Sequence, residues 1–300
     1  MYKSQIYIEE FYKRVSYAAE KLSGTDYQII LVNDGSPDKS LEIAKNLADQ
    51  DKKLIIVDLS KNFGHHKAIM TGLRFAEGEK VFLIDIDLEE QPEWLISFND
   101  QLEQENCDVV YGVQEKRKGN LLERFTGYIF YKIFRAFTGI MQPDNITTAR
   151  LMTKDYVRSL LLHKEKEINI GGLYLLTGFN QSPQKIQKLS NSPTTYSFSH
   201  KISHFINAIS SFSSLPLRFS FYIGSILFIS AVFFILYLVF LYSFYQPPEG
   251  YISIIASIWM FSGLIILANS IQGIYLSKVF MEVKKRPLTI IKEVYQNKDA

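Results

Sequence analysis

The sequence predicts an α/β domain followed by two helices that cross a membrane as a hairpin. Apolar runs alternate with amphipathic helical segments over the first two thirds of the chain, which is typical of a sheet covered by helices on both faces. Acidic residues directly follow several of these apolar runs. Residues 219–245 and 251–277 then contain no charged side chain, and each stretch exceeds the ~20 apolar residues that cross a bilayer.

Length, charge and cysteine content exclude several classes of protein. The 300 residues allow one large domain or two ordinary ones, and the net charge of +2 gives no reason to expect a nucleic acid as partner. Cys107 is the single cysteine, so an internal disulfide and a cysteine zinc site are both excluded. The five histidines lack the spacing of a zinc site, and we expect no cleavable signal peptide.

Four strands and four helices are predicted in the first domain. The strands are expected at 27–32, 54–57, 81–84 and 108–111, with helices at 5–22, 36–49, 65–76 and from Pro92 onward. Ser36-Pro37 is typical of a helix start, because proline fits the first helical position. Continuous apolar strands between helices predict a parallel sheet, and the strand at 81–84 should be buried on both faces.

Carboxylates converge on the carboxyl ends of these strands, where open α/β sheets bind their ligands. Asp34, Asp58, Asp85 and Asp87 each follow a predicted strand. Asp85 and Asp87 are one residue apart, which suits a divalent cation, because hard cations take one or two carboxylates together with substrate phosphates. The alternative is a solvated acidic turn, which explains the convergence of four carboxylates less well.

The chain divides where its composition changes. We expect a cytoplasmic domain at 1–196, a juxtamembrane amphipathic helix at 197–214, a transmembrane hairpin at 215–281 and a basic cytoplasmic tail at 282–300. Lysine and arginine flank the two spans but are absent from the loop that joins them, which places both termini in the cytoplasm by the positive-inside rule. The amphipathic segment lies either on the membrane surface or against the domain.

A set of motifs occurs in an order that resembles a known family. The motifs are Asn33-Asp34-Gly35-Ser36, Lys61-Asn62-Phe63-Gly64, Asp85-Ile86-Asp87-Leu88-Glu89 with Pro92-Glu93, Tyr111-Gly112-Val113 with Lys116-Arg117-Lys118, Arg150-Leu151-Met152, Leu215-Pro216-Leu217-Arg218 and Glu282-Val283-Lys284-Lys285-Arg286-Pro287. Together they extend over nearly the whole chain, and the ordered set is far more specific than any one motif. The chain resembles the membrane-anchored family 2 glycosyltransferases of the polyprenyl-phosphate type, which include dolichol-phosphate mannose synthases and bactoprenol glucosyltransferases.

The resemblance implies a GT-A fold, a Rossmann-like sheet that binds a nucleotide diphosphosugar together with Mg²⁺ or Mn²⁺, in a multi-pass protein of the inner membrane. It assigns the donor to Asn33, Asp34, Gly35, Asp58, Asn62, Lys67 and Asp85, and the metal to Asp87, Asp85 and Glu89. It assigns catalysis to Asp85, Asp87 and Arg150, and the acceptor phosphate to Lys116, Arg117 and Arg150. Relatives form homo-oligomers through such hairpins, so a homo-oligomer belongs to this expectation.

The residues alone leave some of these roles open. Asp34 is either a contact of the base or ribose or a simple turn residue, since Asp-Gly is a common turn pair. Asp58 is either a base contact or a helix cap. Lys116-Arg117-Lys118 is either a grip on the acceptor phosphate or a basic turn that faces solvent or lipid headgroups.

The chain also departs from the family pattern, as a distinct subgroup would. The family opens with a strand in the middle of its sheet, whereas Met1-Tyr2-Lys3-Ser4 leads straight into the first helix, so we expect the domain to lack that strand. Either the true start lies upstream or the chain is a truncated, impaired copy. Many relatives carry an acidic residue where this chain has Thr148, and a basic residue before the tyrosine at Tyr196.

Three functions are compatible with these patterns, and we expect the first. It is inverting transfer of a sugar to a polyprenyl phosphate, an anion that needs little or no general base and so tolerates Thr148. The second is extension of a lipid-linked saccharide at a sugar hydroxyl, which needs a base within reach, either Asp144 or a displaced carboxylate near Thr148. The third is a nucleotide-sugar-binding membrane scaffold without turnover, which the missing strand supports.

Overall fold

The computed structural model describes residues 1–114, 145–165, 170–188, 215–244 and 250–297. The chain forms two compact units, one of Met1–Tyr131, Ile140–Tyr196 and Arg286–Ala300, the other of Lys132–Gly139 and Ser197–Lys285. The helices of the first unit are α1 (Ile8–Ser23), α2 (Ser40–Ala48), α3 (His65–Leu73), α4 (Trp94–Glu105), α5 (Lys154–Leu161) and α6 (Ile170–Leu176). Its strands are β1 (Ile29–Asn33), β2 (Leu54–Leu59), β3 (Lys80–Leu83), β4 (Val109–Gln114), β5 (Ile146–Thr153), β6 (Gln181–Ile186) and β7 (Ile291–Tyr295).

The strands of the first unit form two sheets. In the first sheet β2 lies between β1, which is parallel to it, and β7, which is antiparallel. In the second sheet the order is β3-β5-β4-β6, with β5 antiparallel to both neighbours and β4 parallel to β6. The predicted parallel sheet is therefore wrong for β5 and β7. The sequence analysis predicts neither as a strand, and the direction of a strand depends on the connection that precedes it.

Strand β3 is less buried than its apolar run predicts. Its side chains are half-buried and Lys80 is exposed, so the expectation of burial on both faces is wrong. The reason is its place in the sheet, because among the described strands β3 pairs with β5 alone and forms an edge. The strand also ends at Leu83, before the acidic residues begin.

Helices α1 and α3 join the two sheets through side-chain packing. Helix α1 contributes Phe11 to the core on one face of the first sheet and Ala18 to a core on the second sheet. Helix α3 does the same on the opposite faces, with Ala68 in one core and Met70 in the other. Burial of a large apolar side chain contributes roughly 1.5–3 kcal/mol, so this packing holds the sheets together without a shared ladder.

On the side of β1 that faces away from β2, the backbone of β1 pairs with Met1 and not with a described strand. Residues 1–7 contain no strand, and α1 is the first regular element. The Met1 ammonium donates to the Val32 carbonyl at 2.8 Å, and the Asp34 amide donates to the Met1 carbonyl at 3.1 Å. Burial lowers the pKa of this ammonium. Among the described residues β1 and β3 are thus each paired on one side only, as expected for a sheet that lacks a central strand.

Helix α2 begins later than predicted, at Ser40 instead of Ser36. Pro37 therefore lies outside the helix. The side chain of the N-cap residue Lys39 makes no capping hydrogen bond, and Asp38 beside it supplies the acceptor for the first helical amide instead. One oxygen of Asp38 accepts hydrogen bonds from the Ser40 amide at 3.1 Å and from the Ser36 hydroxyl at 2.6 Å. The Gln5 amide donates to its other oxygen at 3.3 Å, so the cap also fixes the segment before α1.

The second unit contains two long helices, α7 (Leu215–Phe244) and α8 (Tyr251–Val283), which contact each other. Large apolar side chains along both of them are exposed, for example Phe221 and Ile266. Within the described residues, one segment, Met260–Val283, is long and apolar enough to cross a membrane. The predicted amphipathic helix at 197–214 lies outside the described residues.

The segment after α8 belongs to the first unit. The sequence analysis treats 282–300 as a basic tail, whereas β7 pairs with β2 and the Ser60 amide donates to the Ile290 carbonyl at 2.9 Å. Lys45 on α2 pairs with Glu293 at 2.6 Å, which fixes one face of β7. The periodicity of β7 is hard to detect because all but its last side chain are exposed.

Candidate active site

The carboxyl ends of β1 and β2 bring two predicted donor-binding residues into contact. Asn33 and Asp58 are partners in the parallel register, and both are buried. The Asn33 side-chain amide donates to an Asp58 oxygen at 2.7 Å, which satisfies both polar groups. Lys292, on β7, lies 3.9 Å from the other Asp58 oxygen. Asp58 is therefore held by Asn33 and does not cap a helix.

Asp34 and Gly35 hold two loops together at this edge. The Asp34 carboxylate, which is buried, accepts from the Phe63 amide at 2.7 Å and from the Gly64 amide at 3.0 Å. Gly35 has φ +61°, and a Cβ there would lie 2.5 Å from the Asn62 amide nitrogen. Only glycine allows this approach without displacing the backbone. The structure thus brings Gly35 and Asn62 together and gives Asp34 an anchoring contact beyond the two roles expected of it.

The first turn of α3 lies next to the acidic residues that follow β3. His65 Nε2 lies 3.7 Å from an oxygen of Asp85. Lys67, in the same turn, is half-buried, and its amide donates to the Gly64 carbonyl at 3.1 Å. These contacts link the surroundings of Asp34, Asp58 and Asp85 at one edge of the unit.

The acidic loop, defined as Asp85–Glu90, folds back on itself. Leu88 has φ +58°, and the Glu89 amide donates to an Asp87 oxygen at 3.0 Å. Burial raises the pKa of Asp87, the hydrogen bond from Glu89 opposes the rise, and the charge of Asp85 adds to it. Several carboxylates are thus held close together at the predicted catalytic position.

Glu90 is a member of the site that the sequence analysis misses. It is fully buried, and its oxygens accept from the Asp85 amide at 3.4 Å and from the Thr148 amide at 3.0 Å. Burial raises its pKa to about 7, the Asp85 charge adds to the rise, and Lys188 opposes it. Nothing in the run of polar residues around Glu90 distinguishes it, since its partner on β5 is 58 residues away.

Lys188 is the second missed residue. It follows β6, and its ammonium lies 3.0 Å from Glu89 Oε2 and 3.9 Å from Glu90 Oε1. Burial lowers the pKa of Lys188, but the charges of Glu90, Glu89 and Asp87 outweigh burial and raise it above its usual value. A lone lysine beyond the last strand gives no signal in the sequence.

Arg150, predicted to grip the acceptor phosphate, is buried on β5. Its guanidinium stacks 3.2 Å from the ring centre of Tyr174, and its nitrogens donate to the Thr148 and Thr147 carbonyls at 3.4 and 3.5 Å. Tyr174 thus covers one face of the guanidinium, and Arg150 as a whole is buried in this structure. Lys116 and Arg117 lie outside the described residues, as do Asp144 and Tyr196.

The donor atoms of the acidic loop fit a hard divalent cation. The described residues contain no group of three His, Cys, Asp or Glu side chains that could hold a metal by themselves. A nucleotide site needs fewer, because phosphate oxygens and water complete the coordination of one or two carboxylates. Asp85 and Asp87 are half-buried oxygen donors close to each other, whereas Glu89 already has Lys188 as a partner.

Comparison with known proteins gives consistent matches. The family model described as "Glycosyl transferase family 2" matches residues 1–161. A Mycobacterium tuberculosis protein named among the glycosyltransferases is 44% identical over 296 residues, covering 98% of this chain and 86% of that protein. A prophage bactoprenol glucosyl transferase homolog of Escherichia coli is 29% identical over 291 residues, 95% of this chain and 94% of that protein. The crystal structure of M. tuberculosis glucosyl-3-phosphoglycerate synthase gives a TM-score of 0.48 at 16% identity, covering 71% of this chain and 78% of that one.

Proposed function

Because the chain belongs to glycosyl transferase family 2 and is therefore a glycosyltransferase, we propose that it transfers a sugar from a nucleotide diphosphosugar to a polyprenyl phosphate, with inversion. The observation that carries the proposal is the match to the bactoprenol relative over 95% of this chain and 94% of that protein, which includes the helices of the second unit. A lipid acceptor explains why a family 2 domain is followed by two helices with exposed apolar side chains.

The proposed location is the inner membrane, with the first unit and both termini in the cytoplasm. The apolar segment Met260–Val283 supports membrane association, and the positive residues that flank both helices support this orientation. A two-helix hairpin would hold the first unit at the bilayer surface, where the acceptor is concentrated. A homo-oligomer through the hairpin remains part of the proposal.

The proposed mechanism assigns the donor to the edge formed by β1, β2 and α3. Asn33 and Asp58 are already fixed to each other there, and Gly35 leaves room for the loop that contains Asn62, so these side chains and loops are held in place before a donor binds. Mg²⁺ or Mn²⁺ held by Asp87 and Asp85, with Glu89 once the Lys188 ammonium has left it, would neutralise the charge that develops on the leaving diphosphate. Lys67, in the first turn of α3, adds positive charge at the same edge.

On the acceptor side the proposal uses basic residues to hold the lipid phosphate. Arg150 would bind it through the guanidinium fork once Tyr174 moves, and Lys116 and Arg117 would complete the grip. The phosphate is anionic near neutral pH and attacks the sugar carbon without a strong base. This step needs no carboxylate at the position that Thr148 occupies.

The test is transfer of labelled sugar from a panel of nucleotide sugars into polyprenyl phosphate, in membranes that contain the full chain. Asp87→Ala should lower the rate about 10²–10³-fold, because the leaving group loses its electrostatic stabilisation. Asp100→Ala is the matched control, since Asp100 is an exposed aspartate on α4, and it should leave the rate unchanged. Equal rates for wild type and Asp87→Ala would refute the assigned mechanism.

Transfer to a sugar hydroxyl is the second candidate, favoured by the position of Glu90. Its carboxylate lies 3.0 Å from the Thr148 amide, where the sequence lacks an acidic residue. With lipid-linked saccharides as acceptors, Glu90→Gln should then lower transfer about 10²–10⁴-fold, since the base is lost. With polyprenyl phosphate the same variant should lose far less, so the two acceptors distinguish the candidates.

A further inference from the structure

The Lys188 ammonium lies beside two carboxylates of the acidic loop. It lies within hydrogen-bond distance of Glu89, at 3.0 Å, and at 3.9 Å from the fully buried Glu90. The side chains of Lys188 and Glu89 are only 24% and 15% exposed, so water screens this pair less than a surface pair. An exposed ion pair contributes little to stability, whereas this one lies inside the proposed active site.

A divalent cation and the Lys188 ammonium compete for the same carboxylate. An oxygen of Glu89 that faces a lysine at 3.0 Å cannot at the same time bind a metal on that side, and the two cations repel each other. The lysine stem has four carbons and rotates easily, so its ammonium can leave Glu89 without a change in the backbone. Once a donor is bound at this edge of the sheet, its diphosphate would be the anion nearest to the released ammonium.

We infer that Lys188 is a built-in counter-cation of the acidic loop, which neutralises Glu89 before the donor binds and contacts the donor diphosphate once a divalent cation has bound. This inference rests on the proposed function for the identity of the donor. It makes Lys188 a positioning residue with opposite effects on two ligands. Removal of its charge should favour the metal alone and disfavour the metal together with a diphosphate.

The experiment measures Mn²⁺ binding to the detergent-solubilised full chain from the electron paramagnetic resonance signal of free Mn²⁺. Lys188→Met keeps most of the side-chain length and removes the charge. We expect Mn²⁺ alone to bind Lys188→Met about tenfold more tightly than wild type, because the competing ammonium is gone. We expect the complex of Mn²⁺ with inorganic pyrophosphate, followed by isothermal titration calorimetry because pyrophosphate itself removes the free Mn²⁺ signal, to bind this variant at least tenfold more weakly.

Two further variants separate charge from structure. Lys185→Met removes an exposed lysine from β6, the strand that precedes Lys188, and should leave both affinities unchanged. Lys188→Arg keeps the charge and should behave like wild type. The inference is overturned if Lys188→Met binds Mn²⁺ with unchanged or lower affinity, since the lysine would then only support the loop. It is also overturned if Lys188→Arg and Lys188→Met behave alike.

These outcomes are independent of the acceptor. Neither measurement contains a polyprenyl phosphate or a sugar, so failure of the chain to glycosylate polyprenyl phosphate would leave the Lys188 result standing. Conversely, unchanged Mn²⁺ affinity in Lys188→Met with intact sugar transfer would reject the inference and retain the proposed function.

Discussion

At the scale of single residues, the edge to which we assign the donor depends on contacts between the loop after β1 and the loop after β2. Asp34 accepts from two amides of the loop after β2, and Gly35 lets that loop approach to a distance that a Cβ would block. The motif Asn33-Asp34-Gly35-Ser36 therefore has a structural reason that is separate from any contact with the nucleotide. Its aspartate fixes the second loop, and its glycine leaves room for it.

Gly35→Ala should damage this edge more than a glycine replacement elsewhere. The new Cβ would lie 2.5 Å from the Asn62 nitrogen and from the Lys61 carbonyl carbon, so the loops must separate. Gly24→Ala is the control, because Gly24 has the same φ of +61° with no atom within 4 Å of the added Cβ. Both variants incur backbone strain, because both glycines have a positive φ that a residue with a Cβ rarely adopts. Only Gly35→Ala should also weaken nucleotide-sugar binding, measured by isothermal titration calorimetry; equal binding by both variants would contradict this account.

At the scale of elements, apolar runs predict where strands lie better than how they pair. The runs before Asn33 and before Asp85 locate β1 and β3 within a few residues, since burial favours branched apolar side chains there. Strand β7 escapes prediction because two of its five residues are charged and its pairing partner, β2, is more than 230 residues earlier. Helix α2 begins at Ser40 because Asp38, and not Pro37, supplies the cap.

Asp38→Ala should destabilise the first unit through the start of α2. Burial acts to raise the pKa of Asp38, but hydrogen bonds from Ser36, Ser40 and Gln5 outweigh it and lower the pKa to about 2. Loss of a cap costs about 1 kcal/mol, which should lower the melting temperature by roughly 2–4 °C. Asp26→Ala, at an exposed turn, is the control and should have no effect.

The difference in stability between wild type and Asp38→Ala depends on pH, and the direction of the pKa shift gives its sign. A carboxylate whose pKa is lower in the folded state stabilises the fold above its ordinary value of 3.8, and that contribution is lost as the pH falls toward about 2. Wild type and Asp38→Ala should therefore differ most above pH 4 and approach each other toward pH 2 in thermal unfolding. A difference that grows below pH 4 would contradict the assigned role of Asp38.

At the scale of the whole molecule, the sequence predicts an α/β domain followed by apolar helices, but not the return of the chain to the first unit in β7 or the contacts of Glu90 and Lys188. The positions of Asp34, Asp58 and Asp85 can be predicted because the end of a strand is recognisable from the local sequence. Glu90 and Lys188 are missed because their roles come from contacts between residues far apart in the chain, with Thr148 and with Glu89. Neither type of contact leaves a periodic pattern.

The proposed topology can be tested on the intact chain with single cysteines. Cys107 is buried, and Cys107→Ala gives a background without thiols. Glu249→Cys lies in the loop between the two apolar helices, which has no Lys or Arg, and Ala300→Cys lies at the C-terminus. If positive charges stay in the cytoplasm, a membrane-impermeant maleimide should label Glu249→Cys in intact cells and Ala300→Cys only after permeabilisation. Labelling of both cysteines in intact cells, or of neither, would exclude the hairpin, because a hairpin requires the loop and the C-terminus to lie on opposite sides.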